Sequence, residues 1–430
     1  MTEREATALE LVGAPDVGAR RLAIADAVSA FWASRAVIWI GGLAALAVFG
    51  TTTGAPARLD PLYLTFSYNH LADLLAAPAA RFDSAWFLAI SQHGYEVNGR
   101  PAFFPLLPML ITVGGSLTGS ALFAGIVISS TLGVVALYLL HRLVMLDFDA
   151  IDARNVVRIT AFLPSAFVLS AVYSESLFLV VSVGAIYCAR LGRWAPAGVL
   201  GALAAATRST GMLLLLPLVF IYLYGPRADR PPRGFGADRR PRHRPAPELA
   251  WLALVPLGLI AYLVFLGLST GDPLSAFSAQ SQWDRAFAPL AAVPLGAWAA
   301  IRGVFELVPG DALPGVAGAP TGLLATGMAV RDIVEFGFLC LAGWLVFEGR
   351  RRLPPAYTVW TVTALALPLS VPATDEPLMS LPRFMLVLFP LWITLALWAR
   401  ERNRVGRVIA AMLPLLVIYT GLFTTWSMSP

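Results

Sequence analysis

The chain has 430 residues, of which 58% are hydrophobic and 13% charged. That composition belongs to an integral membrane protein, so a domain count from length does not apply. The net charge of +5 is no nucleic-acid signature, because the arginines sit in short loops between apolar runs.

The 31 basic residues other than histidine are all arginine, and Gly and Pro are abundant at 36 and 32. With many alanines, this points to a high-GC bacterial genome. Cys188 and Cys340 both lie in apolar stretches and are expected to be packing residues. The first apolar run has no small-residue cleavage site after it and is expected to be a retained span.

In chain order, residues 1–32 form a charged cytoplasmic segment. Arg20, Arg21 and Arg35 flank the first span, 33–52, and place the N-terminus inside. Residues 53–101 are an external loop, where Asp60-Pro61 and Pro78 argue against a further crossing. Residues 102–116 read as a re-entrant or partial helix. Spans follow at 120–143, 157–173, 176–190, 195–207 and 208–224, which keeps Arg154, Arg158, Arg190 and Arg193 inside. A competing count makes 102–116 a full span and 195–224 one long helix.

Residues 225–247 are an Arg-rich cytoplasmic loop carrying Arg227, Arg230, Arg233, Arg239, Arg240, Arg242 and Arg244 among prolines and glycines. The C-terminal module, 248–430, has spans at 249–268, 327–347, 356–371, 383–399 and 407–425. Its long external loop, 270–325, carries the aromatics Phe277 and Trp283. The fold class expected is all-α and polytopic. It has about 11 transmembrane helices plus re-entrant and interfacial ones, at about 20 residues per crossing, and the N-terminal module spans 33–224.

Four stretches carry candidate chemistry. The first is Arg81-Phe-Asp-Ser-Ala-Trp-Phe-Leu-Ala-Ile-Ser-Gln-His-Gly-Tyr95, followed by Arg100-Pro-Ala-Phe-Phe-Pro-Leu-Leu-Pro108. Phe82, Trp86, Ala89 and Ile90 recur at helical spacing, which predicts a short amphipathic helix opened by Asp83. Trp86, Phe87 and Tyr95 are aromatics that favour a membrane interface. A carboxylate beside such aromatics and near arginines suits proton removal from a hydroxyl next to a lipid phosphate. Aspartate is equally favoured at helix N-caps, so the residues alone leave both roles open. Arg100 is an arginine on the external side, where the positive-inside bias makes it less casual.

The second stretch is Pro164-Ser-Ala-Phe-Val-Leu-Ser-Ala-Val-Tyr173-Ser-Glu-Ser-Leu-Phe178. Glu175 lies between two apolar runs, where an ionisable group marks function by default or caps the next helix. The third is Gly201-Ala-Leu-Ala-Ala-Ala-Thr-Arg208-Ser-Thr-Gly211, with Arg208 in the middle of an apolar run. Its guanidinium either forks onto a lipid phosphate or pairs with Glu175 or Asp83. The fourth is Leu381-Pro-Arg383-Phe-Met-Leu-Val-Leu-Phe-Pro390, where Arg383 snorkels to head groups or holds one phosphate.

In this order the four stretches resemble the PIG-V type (GPI mannosyltransferase 2-like) family. These are GT-C glycosyltransferases that use polyprenyl-phosphate sugars, and here the resemblance is to a bacterial member. A looser likeness covers Gly271 to Arg285. The resemblance implies a polyprenyl-phosphate mannose donor, a glycolipid or glycan acceptor and an inverting transfer at the external face of the plasma (inner) membrane. Asp83 would be the catalytic base. Arg100, Glu175, Arg208, Arg383, Trp86 and Tyr95 would bind substrate. No Walker loop, Rossmann glycine pattern or zinc spacing is present, so neither cofactor nor metal is expected, and membrane lipids rather than nucleic acid are the expected partners. A lipid-linked-sugar transporter or flippase, or a non-catalytic lipid-binding protein, stands as the alternative; a transporter should show internal repeats.

Overall fold

The computed structural model describes residues 17–96, 99–229, 243–307 and 323–428. The first part of the N-terminal segment, the heart of the Arg-rich loop and residues 308–322 of the 270–325 loop lie outside the described residues. Among the described residues the secondary structure is helical, with one isolated antiparallel bridge between Arg285 and Ala373. Among the described residues four helices are long and apolar enough to cross a membrane: Val17–Phe49, Ala121–Val144, Pro247–Ser269 and Val405–Thr424.

The chain falls into two compact units. One takes the described residues up to Gly94, then Phe104–Tyr262 and the chain from Leu395 on; the other takes Tyr95–Phe103 and Leu263–Thr394. In the first unit the 33-residue Val17–Phe49 helix packs on Val405–Thr424 and on Ala121–Val144. Polar side chains gather at helix ends there. Asp26 accepts from Arg154 Nε at 2.9 Å and meets His141 Nε2 at 3.2 Å. Both terminal nitrogens of Arg190 reach Asp147, at 2.7 and 2.6 Å. Arg400 reaches both Asp149 and Asp152 at 2.7 Å.

The expected span 157–173 is not a helix. A helix runs Ala150–Ala161, and the chain then turns irregularly through a short 3-10 piece, Ala166–Leu169, before the next helix starts at Glu175. Two causes are visible. Pro164 disfavours a helical residue before it and brings no N–H to the ladder. Arg35 meanwhile supplies the donors that the irregular backbone needs. Its guanidinium gives hydrogen bonds to the Ala166 carbonyl at 2.9 Å and the Ser170 hydroxyl at 2.8 Å. It is 2% exposed. Arg35 is therefore a buried anchor, and the expectation that it marks the edge of the first span is corrected. Gly133 lets the segment come close, since a Cβ there would lie 2.7 Å from the Leu169 oxygen.

The other expected segments differ less. The break expected between 195–207 and 208–224 is present: one helix ends at Ala205 and the chain resumes as Ser209–Leu214 and Leu215–Tyr224. The partial helix expected at 102–116 runs Leu106–Thr118. The expected 383–399 span is interrupted, with helices Leu381–Leu386 and Phe389–Glu401. Pro390 fits the first turn of the second piece, where its missing N–H costs nothing. The 270–325 loop contains a helix, Ala292–Leu307. Both cysteines are free thiols; Cys188 is half-buried, and Cys340 lies on an exposed helix face rather than in a packed core.

Replacing Arg35 with leucine would leave the Ala166 carbonyl and the Ser170 hydroxyl without this donor in a dry interior. The loss expected is about 2–4 kcal/mol, read as a lowered unfolding temperature of the detergent-purified protein. An Arg35→Leu protein as stable as the wild type would contradict the anchoring role.

Candidate active site

Asp83 is the first residue of the Asp83–His93 helix, and the capping position belongs to Phe82. Phe82 holds φ at +52°, a region that costs a bulky residue roughly 1–3 kcal/mol. Aromatic packing fixes it there: its ring centre lies 4.9 Å from Trp426 and 5.8 Å from Phe423. Phe423 also meets Phe167 at 4.8 Å and Tyr173 at 5.9 Å. The Asp83 backbone N–H then donates to the Tyr173 hydroxyl at 3.2 Å. Asp83 itself is half-buried, as is Trp86. The helix is not amphipathic as expected. Ser84, Ala85 and Phe87 to Ile90 are all buried, because the helix packs on Leu106–Thr118 and Ala121–Val144.

Arg81 is the anchor the sequence reading missed. It is 1% exposed. Its Nε donates to the Thr424 carbonyl at 3.2 Å and its NH1 to the Ala80 carbonyl at 2.8 Å. The guanidinium stacks over Phe66 at 4.7 Å and Trp426 at 5.4 Å. Burial lowers its pKa to about 10, with Asp60 and Asp73 pulling the other way. The available signal was an arginine two residues before Asp83 in a loop expected outside, where arginines are uncommon.

Glu175 opens the Glu175–Arg190 helix and is 1% exposed. Its Oε1 lies 2.5 Å from Arg208 NH1, so the pairing weighed for Arg208 in the sequence is formed. Arg208 also stands over the Phe178 ring at 6.0 Å. Its side chain keeps 17% exposure against 1% for Glu175, so the cation is the reachable member of the pair. The backbone at Arg208 is extended, between the end of one helix and the start of the next. Gly211 permits this break: a Cβ there would fall 2.1 Å from the Ala204 backbone. At the same place the Leu106 N–H reaches the Ala206 carbonyl at 3.3 Å. Asp83, Glu175 and Arg208 thus belong to one unit, tied through Tyr173, which binds the start of the Asp83 helix two residues before Glu175.

The other candidates belong to the second unit. The Tyr95 hydroxyl donates to the Phe103 carbonyl at 2.8 Å, and its ring meets Phe265 edge-on at 5.5 Å. Arg100 is buried and pairs with Glu96 at 2.9 Å. Arg383 is half-buried and lies over Phe384 at 5.4 Å. Among the described residues no group of three or more His, Cys, Asp or Glu is placed to hold a metal ion.

These helices make an all-helical membrane protein with several candidate spans. Residues 44–224, which contain Asp83, Trp86, Tyr95, Arg100, Glu175 and Arg208, match the family Mannosyltransferase (PIG-V). Over that stretch the chain is similar to the PIG-V mannosyltransferases. It is 31% identical over 170 residues to GPI alpha-1,6-mannosyltransferase 2 of Rattus norvegicus, covering 37% of this chain and 34% of that protein. It is 32% identical over 174 residues to the Mus musculus protein of the same name, with the same coverage, 37% and 34%. The chain therefore spans about a third of the length of these relatives. Among solved structures it is similar to the Archaeoglobus fulgidus oligosaccharyltransferase tethered with an acceptor peptide. The TM-score is 0.42 at 14% identity, over 93% of this chain and 56% of that one. The archaeal oligosaccharyltransferase AglB in complex with an inhibitory peptide and a dolichol-phosphate gives 0.42 at 13% identity, with the same coverage, 93% and 56%. Likenesses of this size are too slight to define a common fold.

Glu175→Gln and Arg208→Gln should each destabilise the protein, and the double variant should lose less than their sum. The coupling expected is about 1–3 kcal/mol, measured by unfolding in detergent. Additive losses would mean that the pair contributes nothing as a pair.

Proposed function

We propose that the chain is a GT-C type mannosyltransferase of the plasma (inner) membrane. It transfers mannose from a polyprenyl-phosphate donor to a glycolipid or glycan acceptor on the external face. The family match over residues 44–224 carries this reading, because that stretch holds Asp83, Glu175 and Arg208. The N-terminus lies inside, the modules 33–224 and 248–430 flank the cytoplasmic loop 225–247, and the loops 53–101 and 270–325 lie outside. The gathering of Asp26, Asp147, Asp149 and Asp152 with Arg154, Arg190 and Arg400 supports a common inner side for those residues.

Asp83 is the general base. It takes the proton of the acceptor hydroxyl as the oxygen attacks the anomeric carbon, in one inverting displacement. The strained Phe82, buried Arg81 and the Tyr173 contact support a fixed aim for this carboxylate. The leaving group is a lipid phosphate, which departs without an acid. One or more of Arg208, which Glu175 orients, Arg100 and Arg383 meets the charge it gains. Trp86 and Tyr95 offer aromatic faces to the sugar and its lipid. The activated sugar arrives on the lipid, so the reaction draws on no nucleotide.

The test is mannose transfer from polyprenyl-phosphate mannose in membranes expressing the chain, with an acceptor extract. Asp83→Asn at equal protein level is expected to lose about 10²–10⁴ in rate. Equal rates would remove Asp83 from the chemistry. Transport of the lipid-linked sugar with no glycoside formed would replace the enzyme reading by a flippase.

A further inference from the structure

The helix Ala292–Leu307 of the second unit lies in a stretch that the sequence reads as an external loop, yet its faces are the reverse of those of a helix in water. Ala292, Gly296, Ala299, Ala300 and Gly303 are its buried positions. Leu295, Trp298, Ile301, Val304 and Phe305 are exposed, Trp298 at 60% and Phe305 at 55%. A helix on the surface of a water-soluble domain turns its large apolar side chains inward. Helices in a bilayer do the reverse, since the outer medium is itself apolar and small residues let neighbours come close. The charged residues of this helix are Arg302 and Glu306, which pair with each other at 3.5 Å.

Packing sets its depth. The small face runs along the Leu323–Gly349 helix, which contains the expected span 327–347. A Cβ at Gly303 would lie 2.8 Å from the Ala329 oxygen, and one at Gly296 2.5 Å from Leu378. The segment of Leu378 is held in turn by the same neighbour, through Arg331 and Glu376 at 2.5 Å and through buried Glu335, which accepts the Ser380 N–H. From Gly303 back to Gly296 the helix therefore follows its neighbour from Ala329 towards Glu335, antiparallel to it. Backbone pairing of 284–288 with 370–374 fixes the approach to its start. The Ala288 N–H donates to the Ser370 carbonyl at 2.8 Å, the Ala286 N–H to Pro372 at 3.3 Å, and the Thr374 N–H to Asp284 at 3.2 Å. The neighbour ends at Gly349, and Arg350, Arg351 and Arg352 follow. A hydrocarbon layer takes about 20 helical residues. Counted back from Gly349, it reaches to about Val330. Gly303 stands at that boundary, and the helix from there back to Ala292 lies on its lipid side.

We propose that Ala292–Leu307 is a membrane-embedded helix. It sits beside 327–347 in the half of the bilayer away from Arg350–Arg352, and lipid acyl chains cover its Leu295, Trp298, Ile301 and Phe305 face. Val330, Trp344 and Phe347 of the neighbour are exposed as well, so both helices offer large apolar side chains to the same medium. Water would meet an apolar surface larger than soluble proteins leave open. The 270–325 stretch is then an external loop with one helix let into the bilayer. This inference concerns the lipid contact and does not depend on the transfer reaction.

The experiment places one nitroxide label at a time on the full-length chain, in vesicles of phosphatidylethanolamine and phosphatidylglycerol. The starting protein carries Cys188→Ala and Cys340→Ala, and the labelled variants are Leu295→Cys, Trp298→Cys, Ile301→Cys and Phe305→Cys. Collision with oxygen, which concentrates in hydrocarbon, is compared with collision with a water-soluble nickel chelate. Val264→Cys, on the exposed face of the Pro247–Ser269 helix, is the lipid reference, and Thr53→Cys, in an exposed turn, is the water reference. The oxygen-to-nickel ratio at the four positions is expected to match that at Val264 and to exceed that at Thr53 several-fold. A ratio like that at Thr53 means open water and overturns the proposal. Low collision with both reagents means that protein, a second copy or another partner, covers the face, and overturns it too. Should the cysteine-free chain fail to fold, fluorescence of the wild type minus that of Trp298→Phe decides. Lipids brominated on the acyl chain should quench that difference and iodide should not; quenching by iodide, or by neither, overturns the lipid contact.

Discussion

Arg35 makes an irregular backbone tolerable in an apolar chain. Between Ala161 and Glu175 the helical ladder stops, and residues 163–174 are buried. In a bilayer such backbone survives only where protein satisfies it. The Arg35 guanidinium, the Ser176 hydroxyl on the Leu169 carbonyl at 2.8 Å, and the Val172 N–H on the Ala79 carbonyl at 2.8 Å do so. The segment they hold ends in Tyr173 and Glu175. The placement of the Asp83 helix and of Arg208 therefore depends on a charge buried in a different helix.

A common design runs through the candidate residues. Asp83, Glu175, Arg208 and Arg383 each stand where a helix begins or breaks, not along a continuous one. A helix end exposes N–H or C=O groups and leaves room for a polar side chain, while a continuous apolar helix offers neither. The cost is met locally: by aromatic packing around Phe82, by Glu175 against Arg208, and by Glu335 and the paired segments around Ser380. A lone Glu175 or Arg208 in that interior would be far more expensive than the pair. The pairing therefore accounts for Glu175 structurally even where Arg208 acts on a ligand.

Much of this was legible in the sequence because apolar runs and their interruptions follow directly from residue type. The break at Arg208 could be read from Thr207-Arg-Ser-Thr-Gly211, and the start of the helix at Asp83 from the aromatic spacing after it. Arg35 could not be placed. Counting arginines near span ends assumes that the helix ends with the apolar run, whereas the Val17–Phe49 helix carries Arg35 inside. The irregular 162–174 segment was hidden for the same reason: its composition is as apolar as a span, and only the partner arginine distinguishes it. The pairing of 284–288 with 370–374 is long-range and leaves no local periodicity. The anchoring of Phe82 by Phe423 and Trp426 joins the two ends of the chain and has no local signal either.

The central claim is a single displacement at the anomeric carbon, assisted by Asp83. The most direct measurement is the anomeric configuration of the product formed from a mannosyl donor of known configuration. The account predicts inversion. Retention would contradict it, because retention needs a second displacement through a covalent intermediate on another group.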